Sequence, residues 1–521
     1  MNNRIKVFIV FFWFFAKLGA ISGQVQTQLS DSEVVTNPVS YPHFAYYPDG
    51  HISVLPDENG YIMFWAEFES HRSIGTSQFV EDQIRLEPSN AIFGRRGNFD
   101  TYDNGGSWLM SVFREEGDKL IGFFHAEDHW YPHTSNNIAW KSLGVTYSTD
   151  EGKTWSEGNQ IITSPKDKPE TPEWGGSGDC CVVWDHFNNR WMCYYQEHNI
   201  YMAVSEDPKG APGTWKKYYN GAFTEPGIGG QQTKVPGLTP GANPSVHWNT
   251  YLEKWVMVWH SWGTTAWTKI SFSNDGINWD TPQSIIGSEI ATGGKAWYPT
   301  IIGETDVKAG QIAKIYYADM AKDFSYRVFR TRTITFIDPE NESPANATIN
   351  EPVDSFLVSF PAEIVKIEAS VNNIKAPIEK AEFYSDSVLI GTDDTFPYHL
   401  NWQPTATSAS TSLKVVFTDI EGAKIESEEI TVSFDYYVGV GFNENSDFKL
   451  YPNPSKDYVQ LSGLPNGEKE IRMYNNNQQL VYMGSSSKLR YIIDIRSYTA
   501  GIYFIQVRSG NKYYRNRIVK I

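Results

Sequence analysis

Residues 174–197 read WGGSGDCCVVWDHFNNRWMCYYQE, and the fold turns on how this stretch is read. A Gly-rich turn carrying Asp179 leads into a short apolar strand at 180–184. The chain turns at 185–190 and returns as a second strand, 191–195, that runs out into Gln196, Glu197 and His198. Two apolar runs around a polar turn make a β-hairpin, and both polar ends then lie on one side. The plan recurs with altered turn chemistry. Asp49 leads a strand at 51–55, a turn at 56–60 and a return at 61–67; Asp103 leads 108–113, a turn at 115–118 and 120–125. Asn243 leads 244–248 and 255–260, and Tyr298 leads 299–302 and 315–319. Five hairpins set roughly 50 to 75 residues apart are the mark of blades. Residues 24–337 are therefore expected to form a five-bladed β-propeller in an all-β chain.

The chain has 521 residues, 40% hydrophobic and 20% charged, with 18 Trp, 30 Tyr and 29 Phe, which is enough apolar surface for several domains. A formal net charge of -17 argues against nucleic acid or an anionic membrane as partner. Arg4 and Lys6 precede the apolar run 7–15, and small residues follow at Gly19, Ala20, Ser22 and Gly23. That is the plan of a cleaved secretory signal over residues 1–23. The run is too short to span a bilayer, so no transmembrane segment is expected in the mature chain. All three cysteines, Cys180, Cys181 and Cys193, sit in the opening hairpin. An odd number in an exported chain leaves a free thiol, and buried thiols packing as small apolar residues fit better than a disulfide framework.

Part of residues 24–44 is expected to add an outer strand beside 327–336 and so remove a sheet edge. Residues 338–347, DPENESPANA, form a polar linker. Beyond it, 348–435 alternates apolar and polar residues in short runs that suit an antiparallel sandwich, and 448–521 makes a second, small C-terminal β-sandwich.

Several motifs resemble known families. Ser148, Asp150, Gly152, Thr154 and Trp155 fit the pattern S-x-D-x-G-x-T-W, the Asp box of sialidases and other propeller glycosidases. Ser273, Asp275 and Trp279 give a shortened copy, and Ser205, Asp207 and Trp215 a third, expanded by the Pro/Gly insert 208–213. The Asp would cap a tight turn between the third and fourth strands of a blade and the Trp would tuck beneath it, so the box is a folding device. The string AEFYSDSVLIGTDDTFPYHLNW, 381–402, resembles bacterial Ig-like modules of secreted carbohydrate-active enzymes. LYPNP at 450–454, GIYFIQV at 501–507 and RIVKI at 517–521 resemble the C-terminal sorting domain read by the type IX secretion machinery of Bacteroidetes. That resemblance implies passage to the cell surface or the medium, and an external partner or substrate.

In a propeller the starts of first strands and the ends of second strands share one face. The rule collects Asp49, Asp103, Asp179, Asn243 and Tyr298 with Glu67, His125, Glu197, His260 and Asp319; loops just beyond add Glu127, Asp128, His129, Trp130, His133, His198, Trp262 and Trp297. The layout resembles five-bladed glycosidases of the arabinanase and β-xylosidase type. Carried over by position, the resemblance implies Asp49 as general base, Asp103 as the carboxylate that tunes a neighbour's pKa, and Asp179 as general acid. The family's third-blade acid is usually Glu, so Glu197 at the end of the next strand is the alternative. Glycosidic cleavage needs two carboxyl groups in unlike environments, one protonated and one ionised. Asp49 and Asp103, each close to glycine, equally suit plain turns. His125, Glu127, His129, Trp130, His198, His260, Trp262, Trp297 and Tyr298 are the candidate substrate contacts. No metal-ligand set is assigned; the cofactor stays open, with a divalent cation such as calcium in the propeller channel as the candidate.

Three functions fit. The first is a secreted glycoside hydrolase acting on an extracellular plant or algal polysaccharide. The second is a polysaccharide lyase in which His125 or His129 works with Tyr298 or Tyr131 while Arg95 or Arg96 neutralises a uronate. The third is a non-catalytic, glycan-binding propeller.

Overall fold

The computed structural model describes residues 24–35, 49–66, 69–94, 100–130, 138–262, 267–290, 293–321, 326–358, 364–404, 410–434, 448–475, 479–509 and 512–521. The expected signal segment, residues 1–23, lies outside them, as do Glu67, Arg95, Arg96, Tyr131 and His133. Among the described residues the structure is all β apart from one short 3-10 turn, Val80–Asp82. The chain divides into two compact units, Met1–Pro344 with Asn373–Pro377, and Ala345–Asn372 with Ile378–Ile521.

Five sheets, antiparallel along their main strands, make up the first unit, each beginning with one of the five hairpins. The first holds Ser53–Asp57, Gly60–Ala66, Ser70–Gly75 and Gln83–Leu86; the second Gly106–Glu116, Lys119–Asp128, Trp140–Ser148 and Asn159–Thr163. The third begins with Gly178–Asp185, Arg190–Glu197 and Asn199–Ser205, and continues through Lys216–Tyr219 and Ala222–Pro226. The fourth holds Gly241–Asn249, Lys254–Ser261, Thr268–Ser273 and Gln283–Ile286, and the fifth Lys295–Ile302, Ile312–Met320 and Arg327–Ile337. Gln26–Leu29 completes the fifth sheet, pairing from Gln26 opposite Ile337 to Leu29 opposite Ile334. The N-terminal stretch thus covers what would be an open edge.

Hydrogen bonds tie the first strands to one another in order. Val112 N donates to Ser53 Oγ at 3.0 Å, Val182 N to Ser111 Oγ at 3.0 Å, and Val246 N to Cys181 Sγ at 3.3 Å. The fourth sheet reaches the fifth from its third strand, where Thr268 Oγ1 donates to Ala296 O at 3.2 Å, and the last sheet returns to the first through Ile52 N to Thr300 Oγ1 at 3.4 Å and Val54 N to Asp306 Oδ1 at 2.8 Å. Strand alternation sends successive side chains to opposite faces. Cys180 and Cys193 therefore join one apolar cluster with Ile121 and Val145, while Cys181 joins another with Met257 and Trp259. All three thiols are free and buried.

The Asp boxes occupy the turns between third and fourth strands of the second, third and fourth sheets. In the full copy Asp150 accepts from Thr154 N at 2.9 Å and Thr154 Oγ1 at 2.6 Å, and Trp155 Nε1 donates to Gly152 O at 3.1 Å. Trp279 repeats this bond to Gly276 O at 3.2 Å, and Trp215 to Gly210 O at 2.9 Å. Each accepting glycine has a left-handed backbone (φ 79°, 72° and 58°), which explains why the insert 208–213 leaves the device intact.

The second unit holds two pairs of sheets. Asn346–Glu351, Val365–Asn372 and His399–Trp402 form one sheet, and Ile378–Ser385, Val388–Asp393, Ser410–Asp419 and Ile430–Phe434 are the main strands of the next. Lys449–Tyr451, Tyr458–Ser462 and Arg490–Asp494 form a third, and Lys469–Tyr474, Leu480–Ser486, Gly501–Ser509 and Lys512–Lys520 a fourth.

Trp215 is 1% exposed and meets Phe123 edge-on at 5.7 Å. Replacing it with alanine is expected to destabilise the first unit by about 3–5 kcal/mol. Denaturant melts of the full chain measure this; an unshifted transition would show that the third box packs loosely.

Candidate active site

Four of the five first strands slip register near their start, the first sheet's pairing without a shift. The pairing shifts between Leu109 and Ser111, Gly178 and Cys180, Ala242 and Ser245, and Trp297 and Thr300. Such bulges insert an unpaired residue and re-aim its side chain. Asp179, Asn243 and Tyr298 occupy these positions with left-handed backbones, φ 34°, 51° and 52°. A non-glycine residue held there stores strain that the surrounding structure must impose. All three line one narrow recess, together with His51, Met110, Cys180, Pro244 and Pro299.

Asp49 meets Arg327, whose Nη1 donates to Oδ1 at 2.8 Å, and hydrogen-bonds the Tyr298 hydroxyl. Burial pushes the Asp49 carboxyl above its ordinary range and the charge of Asp179 adds to this, while Arg327 and Tyr298 pull the other way; burial wins. The Tyr298 hydroxyl is itself pushed far up, first by burial and then by the charges of Asp49 and Asp179. Asp179 accepts from the Gln196 amide, and Lys141 Nζ stands 3.9 Å from its Oδ2. Gly178 makes this approach feasible: a Cβ there would lie 2.8 Å from both His125 Cε1 and Lys141 Cδ.

Beside this pair lies a second acidic centre. Asp179 N donates to His125 Nδ1 at 2.9 Å, which leaves Nε2 to carry the ring proton toward Glu127 Oε1 at 3.4 Å. His129 Nε2 reaches the other Glu127 oxygen at 3.1 Å. Burial would raise the Glu127 carboxyl, but the hydrogen bonds from His125 and His129, helped by the charge of Lys141, draw it down to about 2. Glu127 is thus a fixed anion that orients two imidazoles.

The remaining expected residues spread out. Asp103 is 1% exposed in the turn where Asn104 N donates to Thr101 O. Glu197 spends both oxygens on Ser164 Oγ (2.7 Å), Ser177 Oγ (3.1 Å) and Gln232 Nε2 (2.9 Å), so it serves as a loop anchor. His198 is exposed at a left-handed position (φ 63°) in the tight turn before Asn199–Ser205. Trp130 donates to Pro169 O at 2.8 Å and carries Lys168 Nζ 4.5 Å over its ring, so that face is occupied. Asp128 receives Lys168 at 2.7 Å. Trp297 stacks on His260 at 4.6 Å and has Lys295 Nζ 4.5 Å from its ring centre. His260 is 1% exposed and held neutral by burial. Trp262 remains open, 47% exposed. Asp319 is fully buried and accepts from Arg330 Nε at 2.9 Å and Ser288 Oγ at 2.6 Å. Among the described residues no group of three or more His, Cys, Asp or Glu side chains is arranged to hold a metal ion.

Sequence reasoning missed Arg327, Lys141, His51 and the exposed Trp174, over which Lys141 Nζ lies at 5.8 Å. A signal existed: third strands run parallel to first strands, so their starts reach the same face. Arg327 and Lys141 stand at the start of third strands. His51 gave no such signal; it pairs with Asp306 at 2.9 Å across two sheets.

Residues 449–521 match the family described as a secretion system C-terminal sorting domain, and residues 346–415 match the bacterial Ig domain family. The sorting domain directs the chain through type IX secretion to the cell surface or outside. No curated protein matches the chain. Among solved structures, the chain is similar to a glycoside hydrolase at 15% identity, covering 59% of this chain and 94% of that one, TM-score 0.36. It is similar to an alpha-L-arabinofuranosidase from Podospora anserina in complex with cellotriose (10%, covering 59% and 96%, TM-score 0.34) and to a glycosyl hydrolase from Bacteroides ovatus (10%, covering 59% and 92%, TM-score 0.35).

Because the folded Glu127 carboxyl lies below its ordinary value near 4.5, it contributes stability that is fully present above that pH and lost as pH falls toward about 2. Glu127→Gln is expected to flatten the acid limb of the stability profile across that window. Thermal melts from pH 6 to about 2 check it; an unchanged acid limb would contradict the ionised role.

Proposed function

We propose that the protein is a secreted glycoside hydrolase acting on an extracellular plant or algal polysaccharide, with its five N-terminal sheets arranged as the blades of a five-bladed β-propeller. In this reading residues 348–435 are an Ig-like spacer and 448–521 the sorting domain. One observation carries the proposal: Tyr298, which lines the recess with Asp179, hydrogen-bonds Asp49, so one side chain links the two carboxyl groups. Two carboxyl groups in unlike surroundings are what glycosidic cleavage requires.

The environments favour a division of labour opposite to the one implied by the family resemblance. Asp49, raised by burial, keeps its proton to higher pH and supplies it to the leaving oxygen. Asp179, which accepts from the Gln196 amide and faces Lys141 Nζ, is the partner that activates water or attacks carbon. It also takes the tuning part that the resemblance gives to Asp103, since its charge is the one that raises Asp49. The Tyr298 hydroxyl, kept protonated, fixes the orientation of Asp49. The recess is too narrow for a sugar ring, so the scissile bond would lie across its mouth.

Asp49→Asn and Asp179→Asn are each expected to lower turnover by about 10²–10⁴-fold with little change in melting temperature. The test is a screen on purified polysaccharides with products read by mass. On an activated aryl glycoside of the sugar so identified, Asp49→Ala is expected to retain most of its rate, because a good leaving group needs no acid, whereas Asp179→Ala stays inactive. A near-wild-type rate in either Asn variant removes that residue from the chemistry. Unsaturated uronate products would assign the reaction to a lyase, and binding without cleavage would leave a lectin.

A further inference from the structure

We propose that the groove between the fourth and fifth sheets is a distal subsite that holds further sugar rings of the same polysaccharide, with Trp267 as its stacking wall. The inference rests on the hydrolase reading and names where the polymer runs, which that reading leaves open. The recess offers little room, whereas this groove encloses about 730 Å³, the size of a small-ligand site.

Its position connects it to the recess. Trp267 directly precedes the third strand of the fourth sheet, Gly287 follows the fourth, and Thr268 pairs with Ile286. The groove therefore opens at the end of the sheets where the recess lies. Gly294, which lines it, stands four residues before Tyr298, about 13 Å along a strand.

Its chemistry fits a carbohydrate. Trp267 is 41% exposed, and its ring lies so close over Gly287 that a Cβ there would come within 3.1 Å of it. One face rests on backbone, and the open face suits the C–H face of a pyranose. The opposite wall is polar and rigid. Glu289 accepts from Ser32 Oγ, from Tyr317 Oη at 3.0 Å and from Arg332 Nη2, and Arg332 Nε donates to Tyr317 Oη at 3.2 Å. Despite these bonds the two side chains remain 31% and 20% exposed. Buried Asp319 anchors the same turn through Ser288 Oγ and Glu289 N. A carboxylate and a guanidinium already locked in place lose little entropy when they bind hydroxyl groups.

The experiment is affinity gel electrophoresis of the full chain through purified arabinan, xylan, galactan, mannan, pectin and alginate. At least one polymer is expected to retard the wild type and Asp49→Asn alike, Trp267→Ala to weaken that retardation about tenfold or more, and Trp267→Tyr to restore most of it. Because Trp267 is largely exposed, the alanine variant should fold, and an unchanged melting temperature verifies this. Retardation by no polymer, or equal retardation of wild type and Trp267→Ala, overturns the proposal. Retardation through Trp267 without cleavage keeps the groove and removes the hydrolase; cleavage that Trp267→Ala leaves untouched, with equal retardation, does the reverse.

Discussion

The structure depends on a slip in pairing at the start of its inner strands. An ordinary strand sends alternate side chains into the clusters between sheets, where Val182, Val246 and Ile301 lie. A site facing inward along the recess cannot be built from such a strand. The extra residue at each bulge frees one side chain from that alternation, and the left-handed backbones of Asp179, Asn243 and Tyr298 turn it into the recess. Strain of this kind persists only where neighbours enforce it. Here the enforcement comes from the bonds between successive first strands, down to the Cys181 sulfur accepting from Val246 N.

The same arrangement accounts for the electrostatics. The chain is strongly acidic as a whole, yet cations stand at the recess because third strands begin there. Arg327 and Lys141 each face one carboxylate of the proposed pair. Burial and a neighbouring charge raise Asp49, while two imidazoles hold Glu127 ionised. These carboxyl groups are thus shifted in opposite directions by their surroundings.

Much of this was legible in the residues. The five hairpins, the Asp-box turns and the N-terminal strand beside 327–337 follow from alternation, turn chemistry and the need to cover an edge. The resolution of the site was not. A bulge adds one residue without changing composition, so hairpin spacing alone points to Asp103 where Met110 lines the recess. Glu197 looked like a spare acid because its position is right; its three hydrogen-bond donors come from Ser164, Ser177 and Gln232, far from it in sequence or across a turn. Arg327 and Lys141 were overlooked because only first and second strands were scanned, although strand direction alone places them.

In the proposed reading a glycosidic bond is broken at the mouth of the recess, beside Asp179, Tyr298 and Asp49. A crystal structure of the inactive Asp179→Asn protein soaked with an oligosaccharide tests it most directly. Density is expected for a sugar across that mouth, with the glycosidic oxygen within about 3 Å of an Asp49 carboxyl oxygen. Well-ordered sugar bound elsewhere, with the mouth empty, would contradict it.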